Sequence, residues 1–374
     1  MRPRTFRAYA PADDIAESQP LAGVTIAHVG HFDPAYSRNR IMAKALRRAG
    51  ATVLVASHTG KYLRRTPRLV FDVVRKRADL ILVGFPGHAD VAAARLATTR
   101  PVVFDAFVSL YETEQDRREQ PGLVSARARR FAWEDRLACR LATRIVLDTD
   151  THAAYFAQQF GVSPSRLRRV WVGADDDVMK PGREPAPTAG RFRIFVYASF
   201  IPLHGLEHVV RAARALERRK EDVQIDIVGG GPTAHATMQL VADLGTTNVQ
   251  FLGRRPYEEL PGLMAASQMC LGIFGTSAKA QRVIPNKVFD ALAVARPVLT
   301  ADTPAAREVL VHGDNAYLCA PGDAEALADA IVALKLDEAL RHRLAERGNE
   351  LFRERFSIAA LSRDVAAVTL DALG

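Results

Sequence analysis

The segment that decides the fold reads Gly272-Ile-Phe-Gly-Thr-Ser-Ala-Lys-Ala-Gln-Arg-Val-Ile-Pro-Asn-Lys-Val-Phe-Asp290. An apolar, strand-like run leads into a loop, and a helix is predicted from Pro285 because proline is favoured at the first helical position. Arg282 then precedes the helix N-terminus and Lys287 lies in its first turn, where backbone N–H groups and the helix dipole attract anions. Asp290 shares a helix face with Lys287. The segment predicts a nucleotide-diphosphate site, with the two cations on the phosphates and the carboxylate on the ribose.

A second interpretation of the same helix stays open. Lys287 and Asp290 are three residues apart, and such pairs on a helix surface contribute only about 0.2–0.5 kcal/mol. In that case the two side chains form an exposed ion pair with no ligand.

Short apolar runs alternate with amphipathic segments along the chain. Parallel strands that are buried on both faces show this pattern, so the predicted fold class is α/β, with doubly wound parallel sheets. Gly50 is expected to end the first helix. The predicted strands are Val24–Val29, Val53–Ala56, Leu80–Gly84, Val102–Phe104, Ile145–Leu147, Phe192–Tyr197, Val223–Val228, Val249–Phe251, Met269–Ile273, Val298–Thr300 and Ala316–Leu318.

The alternation of predicted strands and helices is interrupted once, by a segment rich in proline, glycine and acidic residues. Such composition marks a linker, so two domains are predicted rather than one large core. The predicted ranges are a flexible lead-in at 1–20, an N-terminal domain at 21–178, a linker at 179–190, a C-terminal domain at 191–352 and a last helical segment at 353–374. That last segment is expected to return to the N-terminal domain. Ligands of such sheets bind beyond the carboxyl ends of the strands, so a cleft between the domains is the expected site.

Basic residues are concentrated in the first half of the chain. Residues 1–178 hold 28 Lys and Arg against 19 Asp and Glu, whereas the remainder holds 23 of each. Clusters such as Arg75-Lys76-Arg77 and Arg127-Ala-Arg129-Arg130 favour an anionic or lipid-linked acceptor, or a membrane surface. Solvated helix faces are the alternative. Nucleic acid is not expected as a partner, because no nucleic-acid-binding motif accompanies the charge.

The location is expected to be cytoplasmic, and a peripheral position at the inner face of the membrane stays open. No apolar run approaches the roughly 20 residues that span a bilayer, and the basic N-terminus is not followed by the apolar stretch of a signal peptide. Three widely spaced cysteines argue against a disulfide framework or a zinc site. The acidic run Asp175-Asp176-Asp177 lies in the segment that interrupts the α/β pattern, just before the predicted linker at 179–190, and is assigned to turn chemistry. No metal or other cofactor is expected.

Several motifs resemble those of GT-B glycosyltransferases of the large group called family 4, over nearly the whole chain. In the N-terminal half, the motifs resemble those of family members that act on surface polysaccharides and cell walls. The motifs that carry it are Ala198-Ser-Phe-Ile-Pro-Leu-His-Gly205, Ile227-Val-Gly-Gly-Gly-Pro232, Val249-Gln-Phe-Leu-Gly253, Ile284–Pro297, Pro321-Gly-Asp323, Phe32–Asn39 and Val103–Tyr111.

The resemblance implies two doubly wound Rossmann-like domains around a central cleft. It also implies a retaining, metal-independent transfer of a sugar from a nucleotide diphosphate sugar to a hydroxyl, with a UDP- or GDP-sugar as donor. The family places two acids eight positions apart, but here Arg282 replaces the first and Asp290 the second. The basic pair that the family carries after the first strand of its second domain is replaced by Ser199 and His204.

The resemblance and the residue patterns together give the predicted site. Asp105 at the end of a strand is the candidate base or sugar-orienting residue, with a satisfied loop carboxylate as the alternative. Catalytic roles are predicted for Asp105, Arg282 and Lys287. Donor-binding roles are predicted for Ser199, His204, Gly205, Gly231, Gly253, Arg254, Arg282, Asn286, Lys287 and Asp290.

The cleft or acceptor residues are predicted to be His31, Arg38 and Asn39. Arg38 and Asn39 begin the first helix, where their side chains would face the diphosphate or the acceptor. The alternative is that Ser37 caps the helix while Arg38 is solvated. For His204, one of the predicted donor-binding residues, the alternative is a structural role in its loop.

Two other functions stay open at this point. One is a sugar-nucleotide epimerase or hydrolase, which uses the same donor without an acceptor. The other is a degenerate member that binds a nucleotide sugar or a partner without turnover, and Arg282 and Ser199 are the departures that favour it.

Overall fold

The computed structural model describes residues 19–58, 60, 62–118, 125–182 and 191–374. Most of the predicted lead-in and residues 183–190 of the predicted linker lie outside these ranges. Among the described residues, no helix is long and apolar enough to cross a membrane.

Twelve strands are formed by the described residues. They are β1 (Thr25–Gly30), β2 (Thr52–Ser57), β3 (Leu80–Val83), β4 (Val102–Phe107), β5 (Arg144–Leu147), β6 (Leu167–Arg169), β7 (Phe192–Ala198), β8 (Val223–Gly229), β9 (Val249–Gly253), β10 (Met269–Leu271), β11 (Val298–Ala301) and β12 (Tyr317–Cys319).

The strands form two parallel sheets of six, with the orders β2-β1-β3-β4-β5-β6 and β12-β11-β10-β7-β8-β9. All eleven predicted strands are present, within one to three residues of their predicted ends. The strand β6 was missed, because Leu-Arg-Arg is short and charged and lies at the edge of its sheet.

Thirteen α-helices connect and flank these strands in the described part of the chain. They are α1 (Ser37–Arg48), α2 (Tyr62–Arg75), α3 (Asp90–Ala97), α4 (Leu110–Arg118), α5 (Ala126–Leu141), α6 (Asp150–Phe160), α7 (Leu206–Arg218), α8 (Ala234–Leu244), α9 (Leu260–Ala265), α10 (Asn286–Ala293), α11 (Ala324–Leu336), α12 (Glu338–Arg355) and α13 (Ile358–Leu373).

The helix after the decisive loop starts one residue later than predicted. Pro285 is its N-cap, with an extended ψ of 155°, and Asn286 is its first helical residue. Gly50 follows the end of α1 as predicted, with a φ of +96° that a side chain would strain.

The described residues form two compact units. Unit 1 contains those of Met1–Ser109, Ala132–Trp171 and Ile358–Gly374, and unit 2 contains those of Leu110–Phe131 and Val172–Ser357. The predicted N-terminal domain at 21–178 differs from unit 1, because α4 and the chain around it belong to unit 2. The reason is contact: α4 packs against the turn at Pro202–His204 of unit 2.

Each unit has its own apolar core between sheet and helices. In unit 1 every residue of β3 and β4 is buried, and Phe104 and Phe156 are completely enclosed. In unit 2 the corresponding core contains Phe200 and Phe274. Strands buried on both faces confirm the predicted fold class within each unit. The last helix, α13, packs on α1 in unit 1.

Candidate active site

The N-terminus of α10 is the centre of the candidate site in unit 2. No side chain caps this end of the helix, so the positive end of its dipole is not offset by a capping oxygen. The loop from Gly272 to Pro285 leads into it from the end of β10. Gly272 is required here, because a Cβ would lie 2.2 Å from the Oγ1 of Thr300.

Lys287 lies in the first turn of α10 and is almost completely buried. Its Nζ has no hydrogen-bond partner among the residues that the structure describes, and it lies 5.8 Å from the centroid of the Tyr197 ring. Burial lowers the pKa of the ammonium group from 10.5 to about 7. An unpaired, buried lysine is costly unless a ligand neutralises it, so this position is typical of an anion-binding site.

His204 ends the 3₁₀ turn Pro202–His204 next to this helix. Its side chain is buried, and its Nδ1 has no partner within the described parts of the chain. Burial, followed by the charges of Lys287 and Lys279, holds the pKa of His204 well below its usual value. The imidazole is therefore neutral at physiological pH, and its position among two lysines favours it as a hydrogen-bond partner of the same anion.

Two glycines hold the His204 turn against the loop that precedes α10. A Cβ on Gly205 would lie 2.4 Å from the backbone nitrogen of Gly275, and one on Gly275 would lie 2.5 Å from the carbonyl oxygen of Leu203. The backbone N–H of Phe274 also donates to the carbonyl of His204, at 3.1 Å. The predicted donor residue Gly205 therefore acts by allowing close approach of the backbone.

Lys279 is a further basic group of the site, and it was not among the residues predicted from the sequence. Its side chain is buried, and its Nζ donates to the Oγ1 of Thr113 on α4, at 2.8 Å. The lysine lies inside the quoted segment, three residues before Arg282. Its position in the loop rather than in the helix gave no periodic signal.

Arg282 is ion-paired with Glu112, also on α4. The carboxylate is buried, whereas the arginine side chain keeps 25% of its surface exposed. Glu112 already neutralises the guanidinium of Arg282. In the predicted role of Arg282 as a phosphate ligand, the phosphate would therefore compete with this carboxylate.

Asp290 is completely buried, and its two carboxylate oxygens accept hydrogen bonds from two tyrosines. Tyr197 donates to one oxygen and Tyr257 to the other, the latter at 3.0 Å. The alternative of a surface ion pair between Lys287 and Asp290 is wrong, since both side chains are buried. The expected contact of Asp290 with ribose hydroxyls would need this carboxylate, which is enclosed here, to become accessible to the donor.

The glycine-rich turn after β8 lies against the end of β7. A Cβ on Gly231 would lie 1.8 Å from the carbonyl oxygen of Ser199, so only glycine fits. Arg254, which follows the exposed Gly253 at the end of β9, donates to the carbonyl of Gly230 at 3.3 Å. The predicted residues Ser199, Gly231, Gly253 and Arg254 thus lie at the carboxyl ends of three neighbouring strands of the second sheet.

In unit 1, Asp105 and Arg38 form a buried ion pair. Both side chains are at most 2% exposed. The guanidinium donates to both carboxylate oxygens at 2.9 Å and also to the carbonyls of Val170 and Trp171. The alternative of a solvated Arg38 is wrong, and Ser37 does not cap the helix, because the N-cap is Tyr36. This geometry matches the satisfied-carboxylate interpretation of Asp105 better than the role of a base.

The other two predicted cleft residues are also engaged within unit 1. Asn39 donates to the carbonyl of Phe85 at 2.8 Å and accepts from its backbone N–H at 3.2 Å. The Nδ1 of His31 lies 2.8 Å from the carbonyl of His58, and its backbone N–H donates to Asp90 at 2.8 Å. These contacts fix the loops at the carboxyl ends of β1 and β3.

Comparison with known proteins assigns the sequence around the start of α10 to a family. Residues 183–351 match the family model described as "Glycosyl transferases group 1". The chain carries a group 1 glycosyl transferase domain. The predicted resemblance is thereby confirmed.

Two curated relatives of this glycosyl transferase domain illustrate the range of similarity. An alpha-D-kanosaminyltransferase of Streptomyces kanamyceticus is 23% identical over 63% of this chain and 62% of its own length. A GDP-mannose-dependent alpha-(1-6)-phosphatidylinositol monomannoside mannosyltransferase of Mycolicibacterium smegmatis is 27% identical over 49% of this chain and 50% of its own length. The chain spans less than two thirds of the length of each of them.

A solved structure extends the likeness to both units. The HepE protein of Anabaena, in complex with UDP-glucose, matches 92% of this chain and 99% of its own chain, with a TM-score of 0.72 and 19% identity. At this identity the likeness shows the fold alone. The two-domain GT-B fold predicted from the sequence is confirmed.

The structure brings part of the predicted donor site of this group 1 glycosyl transferase domain together. Lys287, Asn286 and His204 lie around the start of α10, joined by Lys279, Glu112 and Thr113, which the sequence analysis missed. The two residues on α4 gave no signal, because a stretch from the first half of the sequence was not expected in unit 2. In the described part of the chain, no group of three or more His, Cys, Asp or Glu side chains could hold a metal ion.

Proposed function

We propose that the protein is a retaining, metal-independent glycosyltransferase that moves a sugar from a nucleotide diphosphate sugar to a hydroxyl of a glycan, lipid-linked or small-molecule acceptor. The observation that carries the proposal is the buried, unpaired Lys287 at the uncapped start of α10. Membership of the second unit in the group 1 family supports it.

The diphosphate is proposed to lie between the start of α10 and the His204 turn. Lys287 and Lys279 supply positive charge, and the neutral imidazole of His204 supplies a hydrogen bond. As the glycosidic bond breaks, negative charge grows on the leaving diphosphate, and these fixed groups stabilise it more strongly in the transition state than in the bound donor.

Retention of configuration is proposed to need no carboxylate nucleophile. Two buried acids of the site are engaged: Glu112 by Arg282, and Asp290 by two tyrosines. An oxygen of the leaving phosphate would accept the proton of the acceptor hydroxyl on the face from which it departs. The new bond then forms on that same face.

A UDP- or GDP-sugar is the proposed donor. A solved structural neighbour is described in complex with UDP-glucose, and a curated relative is named as GDP-mannose-dependent. Arg254 over the glycine-rich turn and the exposed Gly253 are proposed to lie beside the base.

Thermal unfolding with UDP, GDP, ADP and dTDP tests the donor site. A ligand at about 100 times its Kd stabilises the folded state by roughly 2.7 kcal/mol. We expect one nucleotide to raise the Tm of the wild type but not that of the variant Lys279→Ala/Lys287→Ala. The matched control Lys335→Ala removes a lysine that is paired with Glu221 in unit 2, and should keep the shift.

Measuring how the donor is consumed distinguishes the proposed transferase from the alternative functions. Donor consumption with an acceptor and an unchanged anomeric configuration in the product, read by NMR, supports the retaining transferase. Donor consumption without an acceptor would favour an epimerase or hydrolase. Nucleotide binding without any turnover would favour a degenerate binding protein.

A further inference from the structure

Helix α2 of unit 1 carries apolar side chains on the face that is turned to solvent. Phe71 is 60% exposed and Val74 is 61% exposed. They are three residues apart and therefore share one face of the helix. Leu69 and Val73 lie on the inner side and are buried in the core of unit 1. The helix thus has one apolar stripe for packing and a second apolar pair in contact with water.

Basic side chains flank the exposed pair. Arg68 lies three residues before Phe71 and Arg75 four residues after it, and both are exposed. The guanidinium of Arg75 lies 5.7 Å from the centroid of the Phe71 ring. Arg77, just beyond the end of the helix, is exposed as well.

The charge of this face is not neutralised within the described residues. Asp72 is paired with His58, at 3.0 Å, and no described carboxylate lies within ion-pair distance of Arg68 or Arg75. The outward face of α2 is therefore apolar at its centre and cationic on both sides. We call this set, Arg68, Phe71, Val74 and Arg75, the α2 face.

We propose that the α2 face binds the surface of a bilayer that contains anionic lipids. Phe71 and Val74 would enter the headgroup layer, while Arg68 and Arg75 contact lipid phosphates. An amphipathic helix with basic residues beside a small apolar face has the composition of an interfacial helix. Long arginine stems allow the charged groups to stay at the level of the phosphates.

A bilayer fits the face better than a nucleic acid does. Both would attract the arginines, but Val74 has neither a hydrogen-bonding group nor a ring that could stack on a base. An aliphatic side chain lowers the free energy of binding only by leaving water, and the headgroup layer allows this. The inference goes beyond the proposed function and does not depend on it.

Vesicle co-sedimentation of the full chain tests the inference. The probes are vesicles of phosphatidylcholine alone and of phosphatidylcholine mixed with phosphatidylglycerol. We expect binding to the mixed vesicles at low salt and weaker binding at high salt. Phe71→Ser/Val74→Ser and Arg68→Glu/Arg75→Glu should each lower the partition coefficient by about tenfold or more.

Two controls match these variants in unit 2. Leu336→Ser removes a leucine that is 77% exposed but lies next to Asp337. Arg211→Glu/Arg343→Glu changes the net charge by the same amount at two exposed positions. Both should bind the mixed vesicles like the wild type, and all variants should keep the wild-type Tm and nucleotide shift.

Three results would overturn the proposal. They are no binding of the wild type to mixed vesicles, equal loss in the α2 variants and in the controls, or salt-sensitive binding to DNA that the α2 variants lose while vesicle binding is unchanged.

Discussion

Lys287 and Asp290 share a neighbour in the candidate site, because both lie next to the side chain of Tyr197. The Nζ of Lys287 lies 5.8 Å from the centre of the Tyr197 ring, and the hydroxyl of the same tyrosine donates to Asp290. The ring offers its negative face to the ammonium group, but the contact does not replace the water that burial removes. The pKa of Lys287 therefore falls to about 7, so the charge of this group in the unliganded protein changes near neutral pH.

Nucleotide affinity should fall as the pH rises above 7. In the unliganded protein Lys287 loses its proton near pH 7, whereas a bound diphosphate holds the proton on it. The Kd of the preferred nucleotide should increase about tenfold or more between pH 7 and 9. Calorimetry in two buffers of different ionisation enthalpy should show proton uptake on binding. The variant Lys287→Met should bind weakly with no proton uptake, and an unchanged uptake in it would assign the titration to another group.

The same substitution should stabilise the unliganded protein. The unfolded chain binds a proton at Lys287 up to about pH 10.5, the folded chain only up to about pH 7, so this group contributes a free energy of unfolding that rises from pH 7 to 10.5. At pH 6 nearly the full penalty is present, and Lys287→Met should raise the free energy of unfolding by up to about 5 kcal/mol. Urea unfolding at pH 6 and pH 10 measures the difference.

At pH 10 the gain from Lys287→Met should be much smaller than at pH 6. Lys335→Met removes a half-buried lysine paired with Glu221 and should not stabilise the protein at either pH. A destabilised Lys287→Met at pH 6 would contradict the assignment of an unpaired, costly charge.

Asp105 should matter for stability rather than for chemistry. Replacing it by Asn leaves the buried guanidinium of Arg38 without its carboxylate, and removing one partner of a buried ion pair costs about 3–5 kcal/mol. We expect Asp105→Asn to lower the free energy of unfolding by that amount in urea titrations. The double variant Arg38→Met/Asp105→Leu should recover most of the loss, because no uncompensated charge remains.

The activity of the folded variants distinguishes two roles of Asp105, that of an ion-pair partner of Arg38 and that of a catalytic base. If the carboxylate only holds Arg38, the double variant should keep kcat within about tenfold of the wild type at a temperature where both are folded. A folded double variant that has lost turnover by three orders of magnitude or more would restore a direct role of the Arg38–Asp105 pair in the reaction.

Eleven of the strands were predictable because apolar residues predominate in each of them. β3 and β4 are buried on both faces, so nearly every residue had to be apolar, and the alternation with helices then determined a parallel sheet. β6 has one apolar residue in three and carries no such signal.

The candidate site was only partly predictable, because its partners come from distant sequence. Lys287 could be placed from the helix start alone. The partners of Arg282 and Lys279 are 170 and 166 residues away on α4, and no local pattern predicts such pairs. Likewise, Asp105 was predicted to lie at a strand end and so to be functional, but it lies inside β4 and pairs with Arg38, 67 residues away.

Arg282 should contribute less to nucleotide binding than Lys287 does. Glu112 neutralises the guanidinium, whereas Lys287 has no ion-pair partner among the described residues. A ligand phosphate at Arg282 must share the guanidinium with this carboxylate, so the net attraction is smaller. We expect Arg282→Gln to raise the Kd of the preferred nucleotide by about fivefold or less, and Lys287→Met to raise it by about fiftyfold or more.

Removing Glu112 should have the opposite effect on affinity. In Glu112→Gln the guanidinium keeps its full charge, so the Kd of the nucleotide diphosphate should fall below that of the wild type. Isothermal titration of Glu112→Gln, Arg282→Gln and the double variant gives the coupling energy of the pair. Tighter binding in Arg282→Gln than in the wild type would contradict this account, because it would make Arg282 a repulsive element of the site.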